Sequence, residues 1–231
     1  MVFRWSMESR KNPITVIETK DGSFSLKRSD LNESYHSEYG ALSETKLVFI
    51  DYGFLYWCNN NPNANPNVLE IGFGSGLNAI ATMKFNPAKV YYETIELYPV
   101  PVELIQKLNY GKLLSMEKEF ETMHLSPWKE TVEIDNTFSI SKHHTAAQNY
   151  DFSNERFDVV YLDAFSPDNE PELWTVDFFK KIYQSCRANA VLTTYCCKGI
   201  VKRALKEAGF QIEKLPGPEG KREVLRAIKL I

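Results

Sequence analysis

Apolar positions in the chain fall into short runs of two kinds, separated by turn-forming clusters. Buried-strand runs, continuous and rich in Val, Ile, Leu, Phe and Tyr, occur at residues 68–71, 90–96 and 157–162, with a further one at 190–195. Segments 77–85, 99–108 and 173–186 carry the wider spacing of helices, and 112–128 reads as helical or irregular. Between 131 and 141, Val132, Ile134, Phe138 and Ile140 alternate with polar residues, the pattern of one half-buried strand. Residues 210–215 and 223–230 flank Pro216-Gly217-Pro218 and predict a terminal β-pair. Strands alternating with helices imply a mostly parallel sheet covered on both faces.

Two pieces precede this core. Residues 14–26 hold β-prone segments on either side of Asp21-Gly22, a hairpin turn signal. Ser43 is placed to cap a helix running towards Trp57, and His36 reads as a surface residue. The Asn/Pro cluster at 59–67 supports neither helix nor strand. The expected division is therefore an N-terminal extension at 1–60 and a catalytic domain at 61–231.

The first core strand runs into Gly72-Phe73-Gly74-Ser75-Gly76 and then a helix, a junction where glycines let the backbone approach a nucleotide-like ligand and helix N–H groups face it. Leu77 stands where a dinucleotide fingerprint needs its third glycine, so that motif is absent. The spacing from Glu70 through Gly72, Gly74 and Gly76 resembles motif I of the S-adenosylmethionine (SAM) dependent methyltransferases. Glu96 ends the second strand, where a carboxylate can accept two hydrogen bonds from a ribose diol. Asp163 follows the 157–162 strand and should face the same crevice, which makes it the catalytic candidate.

Composition narrows the function classes. With 231 residues, 43% of them hydrophobic, the chain can bury one sizeable α/β core, and its net charge of −3 supplies no global attraction to nucleic acid. Lys198, Lys202 and Lys206 nevertheless recur once per helical turn beside Arg203, a solvated face or a phosphate-backbone contact. Four cysteines include no C-x-x-C pair, and His143-His144 stands apart from any cluster of metal-ligand spacing, so no metal is expected. Neither a leader-like apolar core at Met1–Ser6 nor a membrane-length run is present, so a soluble cytoplasmic protein is expected.

Several segments together resemble the methyltransferase half of the MnmC-type tRNA wobble-uridine modification enzymes, especially stand-alone forms without the oxidase. They are Gly40-Ala41-Leu42-Ser43-Glu44-Thr45, residues 70–78, residues 162–167, Pro171-Glu172-Leu173-Trp174-Thr175, Ala208-Gly209-Phe210 and Lys221-Arg222-Glu223. The resemblance implies a Rossmann-like fold with a seven-stranded sheet and an N-terminal β-hairpin extension. It implies SAM-dependent methylation of the aminomethyl group of a wobble (2-thio)uridine in tRNA, with no FAD and a separate enzyme supplying the aminomethyl intermediate. Glu70, Gly72, Gly74, Gly76, Asn78 and Glu96 would hold SAM, and Asp163 would be catalytic. Phe165, Pro167, Glu44, Thr45, Lys221 and Arg222 would line the acceptor site. Where the family carries an acidic residue for adenine, this chain has His143-His144-Thr145. Two other readings fit the same pattern: a small-molecule amine methyltransferase or aminopropyltransferase, or a non-catalytic SAM-binding partner of a tRNA-modifying enzyme.

Overall fold

The structure, a computed structural model, describes residues 13–230, so the Met1–Ser6 stretch lies outside the described residues. Strands β1 (Ile14–Glu18) and β2 (Phe24–Arg28) form the expected antiparallel hairpin, and β3 (Glu33–Ser34) adds a third strand against β2. At the turn, Asp21 accepts from the backbone N–H and hydroxyl of Ser43 at 2.8 and 2.7 Å. Asp21 therefore supplies the acceptor at the start of the next helix, the role the sequence suggested for Ser43. That helix is continuous through α1 (Ala41–Thr45), a π-helical stretch (Lys46–Leu55) and α2 (Tyr56–Asn60).

After it come β4 (Asn67–Ile71), α3 (Leu77–Phe85), β5 (Val90–Glu96), α4 (Val102–Ile105), α5 (Tyr110–Leu114) and α6 (Glu117–Leu125). The chain continues through β6 (Thr131–Glu133), β7 (Phe138–His144), β8 (Phe157–Leu162), α7 (Val176–Ser185), β9 (Cys186–Thr194), α8 (Gly199–Ala208), β10 (Gln211–Pro216) and β11 (Glu223–Ile228). One sheet contains eight of these strands in the order β10-β11-β9-β8-β4-β5-β7-β6. The five central strands are parallel, and both margins are antiparallel.

The sheet thus has one strand more than expected, because the 131–141 segment is a hairpin. Asp135 closes it, accepting from the backbone N–H groups of Thr137 (2.7 Å) and Phe138 (2.8 Å) and from the Thr137 hydroxyl (2.9 Å). Short polar side chains that bind the following backbone turn the chain in this way.

Alternation on β8 separates two cores. Val159 and Tyr161 pack with Phe49, Phe54 and Tyr92 beneath the N-terminal helix and α3, whereas Val160 and Leu162 pack with Phe179, Leu192 and Leu205 beneath α7 and α8. Each such side chain, fully removed from water, stabilises the fold by about 1.5–3 kcal/mol. The Rossmann-like architecture follows, with every parallel strand ending at the same edge.

Candidate active site

β4 lies between β5 and β8, and the chain order reverses there. Such a switch point opens a crevice at the carboxyl ends of the strands. The Gly72 N–H donates to the Ile95 carbonyl, and the Asp163 N–H to that of Ile71, each at 3.0 Å, so the glycine turn and the loop after β8 are bound to one another. Gly72 has φ of +93°, and a Cβ there would stand 2.7 Å from the Asp163 carbonyl oxygen. Only glycine satisfies both constraints.

Glu96 anchors the far side of the turn. Its carboxylate accepts from the backbone N–H of Gly74 at 2.9 Å and of Tyr98 at 2.7 Å. Gly76, with φ of +73°, precedes α3 and lies against the half-buried ring of His124. His36 is buried, which corrects its reading as a surface residue; its ring nitrogen lies 2.8 Å from the Ser75 hydroxyl. Burial pushes that imidazole down to about 4, so it is neutral at physiological pH.

Behind the turn runs a polar chain in which Asn78 uses both ends of its amide. Its NH₂ donates to Glu70 at 3.1 Å and to Asp163 at 2.8 Å, while its carbonyl accepts from the Thr45 hydroxyl at 3.0 Å. The other Glu70 oxygen accepts from Thr94 at 2.8 Å. Fully buried, Glu70 is pushed up to about 8. Asp163 is half-buried and also held well above the ordinary carboxylate range, first by burial and then by the nearby Glu44 carboxylate. Glu44 in turn accepts from the Ser37 N–H at 2.8 Å and from the Lys221 ammonium, which lies 4.2 Å from the centre of the Tyr195 ring.

A cavity of about 790 Å³ opens over these groups, within the range typical of ligand pockets. Gly72, Gly74 and Glu96 line it at the glycine turn. Asp163, next to that turn, lines it together with Phe165, Glu44 and Lys221. Glu70 and Asn78 lie beneath the surface, Thr45 is buried against Asn78, and Gly76 is covered by His124. Pro167 is half-buried outside the lining, and Arg222 is exposed, its carbonyl accepting from the Gly217 N–H in the β10–β11 turn.

The wall around Phe165 uses residues that sequence reasoning missed. Tyr35 meets the Phe165 ring edge-on with centroids 5.1 Å apart, and the Arg28 guanidinium is 5.9 Å from it. The Phe165 N–H donates to Glu170 at 3.0 Å, and its carbonyl accepts from the Trp174 indole at 2.9 Å. Burial, with Glu96 across the cavity, pushes Glu170 up to about 7. His143 and His144 diverge: one lies 3.7 Å from Glu93, the other 3.1 Å from the Leu97 carbonyl. Among the described residues no group of three or more His, Cys, Asp or Glu could hold a metal ion, and no helix is long and apolar enough to cross a membrane.

A family model described as S-adenosyl-L-methionine-dependent methyltransferase matches residues 106–230, more than half of the chain. The chain belongs to this methyltransferase family. It is 30% identical over 211 residues to the tRNA 5-methylaminomethyl-2-thiouridine biosynthesis bifunctional protein MnmC of Leptospira interrogans, covering 84% of this chain and 32% of that protein. The chain thus spans about a third of that relative. Among solved structures, MnmC2 from Aquifex aeolicus superposes with a TM-score of 0.73 at 24% identity, over 94% of this chain and 70% of that one. Spermidine synthase from Thermotoga maritima superposes with a TM-score of 0.63 at 18% identity, over 94% of this chain and 69% of that one. Both structures share the methyltransferase fold with this chain. The resemblance to the MnmC-type methyltransferases, drawn from the segments above, holds across most of the chain.

Proposed function

We propose that this methyltransferase transfers the methyl group of SAM to the aminomethyl nitrogen of a wobble (2-thio)uridine in tRNA, giving the methylaminomethyl product. The observation that carries this reading is Asp163, fixed by Asn78 beside the glycine turn and sharing one cavity with the Phe165 ring. The residues present fit SAM. The backbone turn at Gly72 and Gly74 borders the cavity at the strand ends, and Glu96 ends β5 where a ribose diol would be met. Glu70 and Asn78 serve by holding that turn and Asp163 in place. Bound SAM supplies a methyl carbon made electrophilic by its sulfonium.

The chain's own task is to hold the acceptor nitrogen with its lone pair free. An alkylamine arrives largely protonated, and Asp163, raised by burial, accepts its proton more readily than an ordinary aspartate. Once that proton has passed to solvent, the regenerated carboxylate stabilises the positive charge that develops on nitrogen during transfer. Phe165 stacks on the uracil. Glu44, Thr45, Pro167, Lys221 and Arg222 shape or border the acceptor side. The catalytic unit is 61–231 with 1–60 as its extension, working on tRNA in the cytoplasm downstream of an enzyme that makes the aminomethyl group.

The test is methyl transfer from labelled SAM to tRNA from cells lacking this protein, followed by nucleoside analysis. We expect aminomethyl-uridine to become methylaminomethyl-uridine, and Asp163→Asn to slow this about a hundredfold or more with SAM affinity unchanged. Near-normal turnover in that variant would remove Asp163 from the chemistry. A second reading, a small-molecule amine acceptor, is favoured by the carboxylates of Glu33, Glu44, Glu96, Asp163 and Glu170 around one cavity and by the fold shared with a spermidine synthase. Acceptor binding that fails to weaken with added salt would support it, because tRNA binding releases counterions.

A further inference from the structure

Glu33, on the short strand β3, makes contacts out of proportion to its place in a small peripheral sheet. One carboxylate oxygen accepts from the Ser166 backbone N–H at 2.9 Å and lies 3.4 Å from the Tyr195 hydroxyl, which also donates to the Ala164 carbonyl at 2.9 Å. The other accepts from the Ser166 hydroxyl at 3.0 Å and from the Asn169 side-chain amide. Both oxygens are therefore committed to the loop after β8, across more than a hundred residues of sequence. On either side of Glu33, Arg28 and Tyr35 of the same N-terminal segment meet the ring of Phe165.

We propose that Glu33 is a positioning residue for acceptor recognition: by clamping Ser166 and Asn169 it sets the Phe165 ring, so that the N-terminal sheet forms part of the acceptor wall and selects a planar ring. Hydrogen bonds to a charged carboxylate are shorter and stronger than neutral ones, and two oxygens facing separate donors fix orientation as well as distance. Asp163 is tied independently to Asn78 and Ile71, so the clamp governs where the ring lies and leaves the carboxylate near the glycine turn in place. The inference rests on the proposed role of Phe165 against the acceptor base.

Glu33→Gln is nearly isosteric but turns one acceptor into a donor facing a donor. In the full chain we expect amides of residues 165–170 to exchange with deuterium at least tenfold faster, while amides of 71–77 and the SAM Kd stay within twofold of wild type. With tRNA acceptor, KM should rise about tenfold and kcat stay within threefold. In a Phe165→Ala background the same substitution should change kcat/KM by less than twofold. Asn169→Ala, which removes one partner without touching Glu33, should reproduce the faster exchange to a smaller degree. Unchanged exchange at 165–170, a fall in kcat with KM constant, or full additivity with Phe165→Ala would overturn the proposal. A wild type that methylates no tRNA would overturn the tRNA reading alone, since exchange reports the clamp without any acceptor.

Discussion

Two parts of the cavity lining are built differently. The glycine-turn part comes from neighbours in sequence, with Gly72 and Gly74 in the loop between one strand and the helix it enters. The rest of the lining collects Arg28, Glu33 and Tyr35 from the N-terminal sheet, Glu44 from α1, Phe165 from the loop after β8, and Lys221 from the β10–β11 turn. Backbone geometry determines the first part, and long-range side-chain contacts determine the second. A change on the first should therefore act as local strain, whereas one on the second should be felt through its partner.

The largest effect should come from Gly72→Ala. A left-handed backbone costs about 1–2 kcal/mol with a Cβ, and crowding the Asp163 carbonyl adds about 1–3 kcal/mol. Chemical unfolding should thus show a loss of about 2–5 kcal/mol. Gly22→Ala, at φ of +79° with open space around it, should lose only the backbone part. Equal losses would mean that the turn does not press on the loop after β8.

Next is Lys221→Met in the other part. It leaves the Glu44 carboxylate, 5% exposed, without its cation. Breaking a fully buried pair costs about 3–5 kcal/mol, and the partial exposure of Lys221 lowers this to about 1–3 kcal/mol. Adding Glu44→Gln should recover most of the loss, and a double variant no more stable than Lys221→Met would refute the charge argument.

The smallest effect at neutral pH is that of Glu70→Gln. Because the folded state raises Glu70 from 4.5 to about 8, its stabilising contribution is complete below about pH 4.5 and is lost as pH rises through about 8. Thermal unfolding from pH 5 to 9 should show wild type falling steadily relative to the variant as pH rises. A constant gap across that range would mean that Glu70 is ionised throughout.

Legibility in the sequence follows the same division. The glycine turn, Glu96 and Asp163 were readable because a strand end, a turn and a helix start are adjacent signals, and the sheet follows from where the strands fall. Glu33, Glu170 and the burial of His36 were not, since each depends on partners brought close only by folding or by a short polar loop. The β6–β7 hairpin escaped for another reason. Val132 pairs opposite Ile140, and opposed residues of an antiparallel pair share a face, so the alternation continues in phase across Asp135 as if the chain had never turned.

That hairpin also bears on how the molecule behaves among its own copies. The outer strand of an open sheet is a template on which another chain can add. Here one margin is β6, only three residues long and ending in the exposed Glu133, and the other is β10, which carries Glu213 and Lys214 and ends in Pro216. Brevity, charge and a residue without an N–H make both margins poor seeds for strand addition. The extra strand thus works against fibre growth at the edge it closes, leaving the five parallel strands that carry the cavity shielded from intermolecular pairing.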